Sequence, residues 1–268
     1  SFGFSVAPLF LAGIIVFFEW RGALWLLAIL VGVVFTIFAL IFVRDDPASC
    51  GLLPDGAKPE DNSEASLMEV ESKTLADARR SPAFWLYSMS LGMYAMFGTA
   101  LTFHVVSIFE EAGRGRVEAF GYFIPSAIFS TVTNLLASSF VDKHQLKPFL
   151  VAMLACFVIG AFGLLNLSEA WGYWLLAFGF GAGGGLWGVN SNLAYIRFFG
   201  PLHLGEISGL STSLTVFASA VGPAAFSLGL DYFGSYDAAV KICLVLLSAL
   251  LCAATLLKRE ELPIVPSA

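Results

Sequence analysis

The 268-residue sequence predicts an all-α membrane protein with eight transmembrane helices, on three observations. The chain is 58% hydrophobic and 13% charged with mean hydropathy +0.82, whereas about a quarter of the residues of a soluble domain carry charge. Its charge is pooled: residues 44 to 83 hold 14 of the 34 charged residues, so the apolar remainder must be solvated by lipid or by other helices. That remainder falls into eight continuous runs of the length a helix needs to cross a hydrocarbon core of about 30 Å. Continuous rather than alternating apolar runs exclude a transmembrane β-barrel.

Taken in order, the runs lie at about 1–18, 23–43, 83–109, 117–141, 148–167, 171–196, 205–229 and 236–257. The first opens at Ser1 without methionine or a basic stretch, so it does not read as a signal peptide. The second ends where the charged 44–83 loop begins, and the Gly, Pro, Asp, Glu and Ser of 54–66 give that loop the composition of a linker. Residues 67–80 are expected to form a short amphipathic surface helix. Ser81-Pro82 and Lys147-Pro148 place proline at a helix start, where its missing N–H costs nothing. Pro125 and Pro223 fall inside the fourth and seventh runs and should kink them. Residues 259–268 form a short tail.

Lysine and arginine counts set the orientation. With the 44–83 loop inside, the cytoplasmic segments collect ten (Arg44, Lys58, Lys73, Arg79, Arg80, Lys143, Lys147, Arg197, Lys258, Arg259) against four outside (Arg21, Arg114, Arg116, Lys241). A cytoplasmic loop and C-terminus follow from the positive-inside rule. The net charge of -6 comes mostly from the loop, and no basic patch suits a nucleic-acid partner. Cys50, Cys156, Cys243 and Cys252 form no CxxC pair and have no histidine at zinc-ligand spacing, so no metal or other cofactor is expected.

Two helices, a long charged loop, six helices and a tail, together with particular stretches, resemble the major facilitator superfamily. The stretches are Arg44-Asp45-Asp46-Pro47 through Cys50-Gly51-Leu52-Leu53-Pro54-Asp55-Gly56; Phe103-His104-Val105-Val106-Ser107 through Glu110-Glu111-Ala112-Gly113; and Arg197-Phe198-Phe199-Gly200 with His203 through Leu210. Within the superfamily they are similar to bacterial monocarboxylate or oxalate:formate antiporter-like members, and the likeness spans nearly the whole chain. It implies that 1–43 are the last two helices of an N-terminal half, 44–83 the cytoplasmic central loop, and 84–258 a complete C-terminal half of two inverted three-helix repeats. Four helices of the same protein would then precede Ser1. It further implies a secondary transporter of small organic, monocarboxylate-like solutes in the plasma membrane, working as symporter or antiporter by alternating access, with the site near the midplane. A non-transporting eight-helix scaffold or sensor subunit is the alternative.

Several residues are candidates for function. Asp142, Lys143 and Lys147 match the superfamily's loop motif, and Arg197 is the expected partner of Asp142 in a latch made in one conformer and broken in the next. The inner thirds of the runs hold no Asp, Glu, Lys or Arg, so neither an anion clamp nor a carboxylate relay can be located there. Small polar stripes, Ser208-Thr212-Thr215-Ser219-Gly222 and Ser126-Ser130-Thr133-Ala137, suit close packing first and substrate passage second, through Thr212 and Thr215. In the sixth run Gly181, Gly184, Gly185 and Gly188 share what should be a packing face, while Trp187 and Asn190 share the face expected to line a cavity; Asn134 is a similar candidate. His104 is the candidate for substrate contact or proton coupling. No HExxH, GxSxG or GxxxxGK[ST] occurs, and the chain is not expected to be an enzyme.

Overall fold

The computed structural model describes residues 2–43 and 72–257, all helix and connecting turns. The stretches 44–71 and 258–268, with the antiporter-like segment from Arg44 to Gly56 and the basic residues Lys58, Lys258 and Arg259, lie outside the described residues. The chain divides into two units, residues 6–70 and residues 71–268 with 1–5.

In the first unit, helix α1 (Phe2–Ile29) passes through a π-helical segment (Leu30–Phe35) into α2 (Thr36–Phe42). The two runs expected at 1–18 and 23–43 meet at a single residue, Glu19, whose φ of 57° breaks the helix in place of a four-residue turn. Apolar side chains such as Trp25 and Phe35 stand exposed, as a helix facing lipid or further helices requires.

The second unit is a bundle. Its entry, α3 (Leu75–Arg80), starts on a capping box: the Thr74 hydroxyl accepts from Asp77 N, and the Asp77 carboxylate accepts from Thr74 N at 3.1 Å. The Thr74 hydroxyl and backbone hold the Asp77 carboxyl below its ordinary range, so this contribution is present above the unfolded pKa and is lost as pH falls through the lowered one. Thr74→Ala should leave the Asp77 N–H without its acceptor and raise amide exchange across 75–80, leaving the long helices protected; unchanged exchange would contradict this. Just before it, Lys73 N donates to Phe199 O at 2.8 Å. The Trp85 indole donates to Arg79 O at 2.8 Å, tying α3 to the following helix.

Six long segments follow: α4 (Pro82–Glu111), α5 with α6 (Arg116–Gly121 and Phe123–Val141), α7 (Lys147–Leu165), α8 (Ala170–Phe199), α9 (Leu204–Phe233) and α10 (Asp237–Leu256). Pro82 and Pro148 sit in first turns as expected. Gly200 and Gly234, at φ 77° and 70°, close α8 and α9 in the left-handed region that glycine enters without penalty. Successive helices run antiparallel, so α3 and the α6–α7 and α8–α9 turns share one end, called here the linker end; the α4–α5, α7–α8 and α9–α10 turns share the far end.

Gly13–Phe42, Pro82–Glu111, Arg116–Val141, Lys147–Leu165, Leu204–Phe233 and Asp237–Leu256 are long and apolar enough to cross a membrane. Helix α8 matches them in length, at 30 residues, but its glycines, Asn190, Ser191 and Asn192 dilute its hydropathy. It can be less apolar because it is the central helix: sixteen of its residues are buried, mainly against α6 and α7, while α4 packs chiefly against α9. Small residues let these backbones approach closely. A Cβ built on Gly163 would lie 2.6 Å from Leu176 N, one on Gly160 2.7 Å from the Phe180 ring, and one on Gly179 against Gly160 and Cys156 O. On another side of α8, Gly181 and Gly185 abut Ser126 O and Ser130 O of α6.

Candidate functional site

The walls of α4, α6 and α8 enclose a half-open cavity of about 570 Å³. From α4 come Tyr94, Gly98, Thr99 and Thr102, whose spacing puts them on one helical stripe; α6 adds Ser126, Ser130 and Asn134; α8 adds Gly184, Trp187 and Gly188. No lining side chain carries a formal charge. The volume lies in the range of about 300–1,000 Å³ of small-molecule sites, and the mixture of apolar wall and few polar groups is typical of them.

Each polar group is held. The Trp187 indole N–H donates to Leu91 O at 3.2 Å, locking α8 to α4 and leaving the ring as wall. Tyr94 stacks on Phe157 with ring centroids 4.7 Å apart and meets Trp187 at 5.5 Å. Its hydroxyl points at Gly184, where a Cβ would come within 2.9 Å of it. Asn134 Nδ2 donates to Gly185 O at 3.0 Å. A Cβ on Gly188 would lie 3.1 Å from that amide nitrogen.

Asn134 and Trp187 therefore line the cavity, whereas the other expected contacts lie elsewhere. Asn190 is corrected: it is fully buried, with Nδ2 donating to Leu186 O at 2.9 Å and facing Met153 of α7, one turn away from the wall its neighbour Trp187 forms. Thr215 bonds back to Ser211 O at 2.9 Å and its backbone packs near Gly92 of α4, while Thr212 is exposed. The stripe containing them is a seam: Ser219 meets Thr99 at 2.8 Å, and a Cβ on Gly222 would strike Met96 O. The face divided between packing and cavity in α8 also differs from expectation. Gly181 and Gly185 pack on α6, but Gly184 and Gly188 form the cavity floor. Tyr94 was missed, though its spacing to Gly98 and Thr102 was a readable stripe.

His104 lies toward the far end, outside this cavity. Nε2 donates to Pro223 O at 3.2 Å, and Nδ1 faces the Tyr236 hydroxyl at 3.3 Å, which also donates to Ser107 at 3.0 Å. One ring thus joins α4 to Pro223 of α9 and the start of α10. At the same end Arg114 clasps two turns, donating to Leu167 O and, at 2.9 Å, to Glu169 O.

At the linker end Arg197, mostly buried, lies 3.5 Å from the Asp142 carboxylate and donates to Val141 O and His144 O at 2.9 Å each. A cation closing the last carbonyls of α6 suits the negative end of that helix. Lys147 does not join this group: its ammonium donates to Thr255 O and Leu257 O at 2.7 Å, closing α10. Lys143 is exposed beside Asp142. Deeper at this end, the buried Tyr195 hydroxyl joins Ser88 of α4, at 3.0 Å, to Ser211 of α9.

A family model described as Major Facilitator Superfamily matches residues 1–223. No curated protein matches the sequence.

Proposed function

The chain belongs to the major facilitator superfamily, a family of membrane transporters, and from that premise we propose that it works as a secondary transporter of small organic solutes by alternating access. The α4–α6–α8 cavity is the observation that carries this reading: it is roomy, uncharged, half-open, and placed midway along its three helices. In this reading Tyr94, Asn134 and Trp187 contact substrate. Monocarboxylate-like substrates are the class the antiporter-like stretches support. The protein sits in the plasma membrane, with the central loop and C-terminus cytoplasmic by the lysine and arginine count.

Asp142 and Arg197 serve as the loop-motif latch, with Lys143 beside them and Lys147 holding the end of α10. His104 is the proton site. Its Nδ1 can accept from Tyr236 when neutral and donate to it when charged, while Ser107 receives the hydroxyl proton in the second case. The charged groups around this cluster are Glu111, which accepts from Tyr236 N, and the paired Asp237 and Lys241 of α10. Uptake of labelled monocarboxylates and neutral solutes into proteoliposomes, with and without a pH gradient, tests both parts. Uptake that the gradient drives in the parent and not in His104→Ala is expected; gradient-driven uptake in His104→Ala would remove the proton site, and no uptake of any solute would remove the transporter reading.

A further inference from the structure

We propose that the α4–α6–α8 cavity selects planar, ring-bearing organic solutes, with the ring lying against the aromatic wall of Trp187 and Tyr94. This rests on the cavity being the transport site and adds the class of molecule it takes. Three features point to a ring.

First, the two cavity glycines make room for polar side chains and not for another backbone. The Tyr94 hydroxyl lies 2.9 Å from the Cβ position of Gly184 and the Asn134 amide 3.1 Å from that of Gly188, so both groups are brought to the cavity wall. Gly181 and Gly185, by contrast, are required by α6. Second, the walls are aromatic and rigid. Trp187 is fixed by its indole hydrogen bond, and Tyr94 by its stack on Phe157, so both present their rings without rotamer loss on binding. Third, the polar groups beside the aromatic wall are complementary: the Tyr94 hydroxyl can donate and the Asn134 side-chain carbonyl can accept.

The same features disfavour a two- or three-carbon acid. Such a molecule has too few atoms to cover these walls, and no cationic side chain of the cavity rewards its carboxylate. A ring supplies apolar area and stacking instead, and a carboxylate attached to it would be met from the open side.

Proteoliposome uptake of labelled benzoate and nicotinate, against acetate and lactate at equal concentration, tests the assignment. Ring-bearing acids should exceed the aliphatic acids by about tenfold or more, a margin that a few pocket contacts can supply. Gly188→Ala, whose methyl would press on the Asn134 amide at 3.1 Å, and Trp187→Leu should each lower uptake of the ring-bearing acids about tenfold while the protein stays monodisperse on size exclusion. Tyr94→Phe should weaken nicotinate, which offers a ring acceptor, more than benzoate. Aliphatic acids carried as well as the ring-bearing ones, or no ring-bearing acid carried, would overturn the ring assignment and leave the transporter reading intact. Uptake of whichever acid moves that is unchanged in all three variants would instead remove the cavity as the site.

Discussion

Gly179→Ala is expected to abolish the folded bundle, giving aggregated protein on size exclusion in detergent where the parent is monodisperse. In an isolated helix the exchange would be favourable by about 1 kcal/mol, because alanine is the better helix former. Packing reverses the sign. The added Cβ meets Gly160 N, Gly160 Cα and Cys156 O, all main-chain atoms that cannot rotate away, so α7 and α8 must separate along a seam that also includes Gly160 and Gly163. Overpacking a core commonly costs about 1–3 kcal/mol, and backbone-on-backbone contact belongs at or above the top of that range. Gly209→Ala is the control: its Cβ meets nothing within 4 Å, and the variant should fold and behave as the parent. Equal behaviour of the two variants would show that α7 and α8 are not in such close contact.

The second large effect is expected at Arg197. Arg197→Gln should slow uptake strongly and lower the thermal unfolding midpoint, while Asp142→Asn should change the midpoint little. The geometry separates the two. The Asp142 carboxylate is 85% exposed and 3.5 Å from the guanidinium, a pair of the solvated kind worth about 0–1 kcal/mol. The guanidinium itself is 14% exposed and serves two carbonyls at the end of α6 at 2.9 Å, where hydrogen bonds from a charged donor contribute about 1.5–3 kcal/mol each. Removing it leaves those carbonyls without their cation; removing the carboxylate leaves the guanidinium with two acceptors. If uptake falls in Asp142→Asn with an unchanged midpoint, the carboxylate acts in the transport cycle as the latch reading requires. A midpoint that drops more for Asp142→Asn than for Arg197→Gln would reverse the ranking.

What could be read before the structure was mostly what depends on neighbours in sequence. Proline at 82 and 148 and the long apolar runs are local signals, and each maps onto a helix start or a long helix. Helix α8 was located to within a few residues for the same reason. Its faces were not. Wheel arithmetic grouped Gly181 with Gly184, Gly185 and Gly188, but glycine is tolerated both where a backbone intrudes and where a cavity needs room, and residue type alone does not separate the two. The structure divides the group by what stands opposite: Ser126 and Ser130 carbonyls in one case, the Tyr94 hydroxyl and the Asn134 amide at the cavity in the other. Asn190 was misplaced by a related ambiguity. It lies three residues from Trp187, near enough on the wheel to share a face, yet the few tens of degrees between them decide whether a side chain enters the cavity or the α7 seam. Lys147 illustrates a third limit, since its partners on α10 are 108 and 110 residues away and no motif encodes them. Arg197 with Asp142 was legible because both belong to a recognisable pattern at helix ends.

The bond from Lys73 N to Phe199 O has a consequence for how this protein should be dissected by mutation. It is made entirely by main chain, so an alanine or cysteine scan through the connecting segment preserves its donor at every step and registers nothing at residue 73. Only proline, which deletes the donor, would reveal the attachment. Silence in a side-chain scan of this region therefore describes the chemistry of the scan and not the independence of the segment from α8.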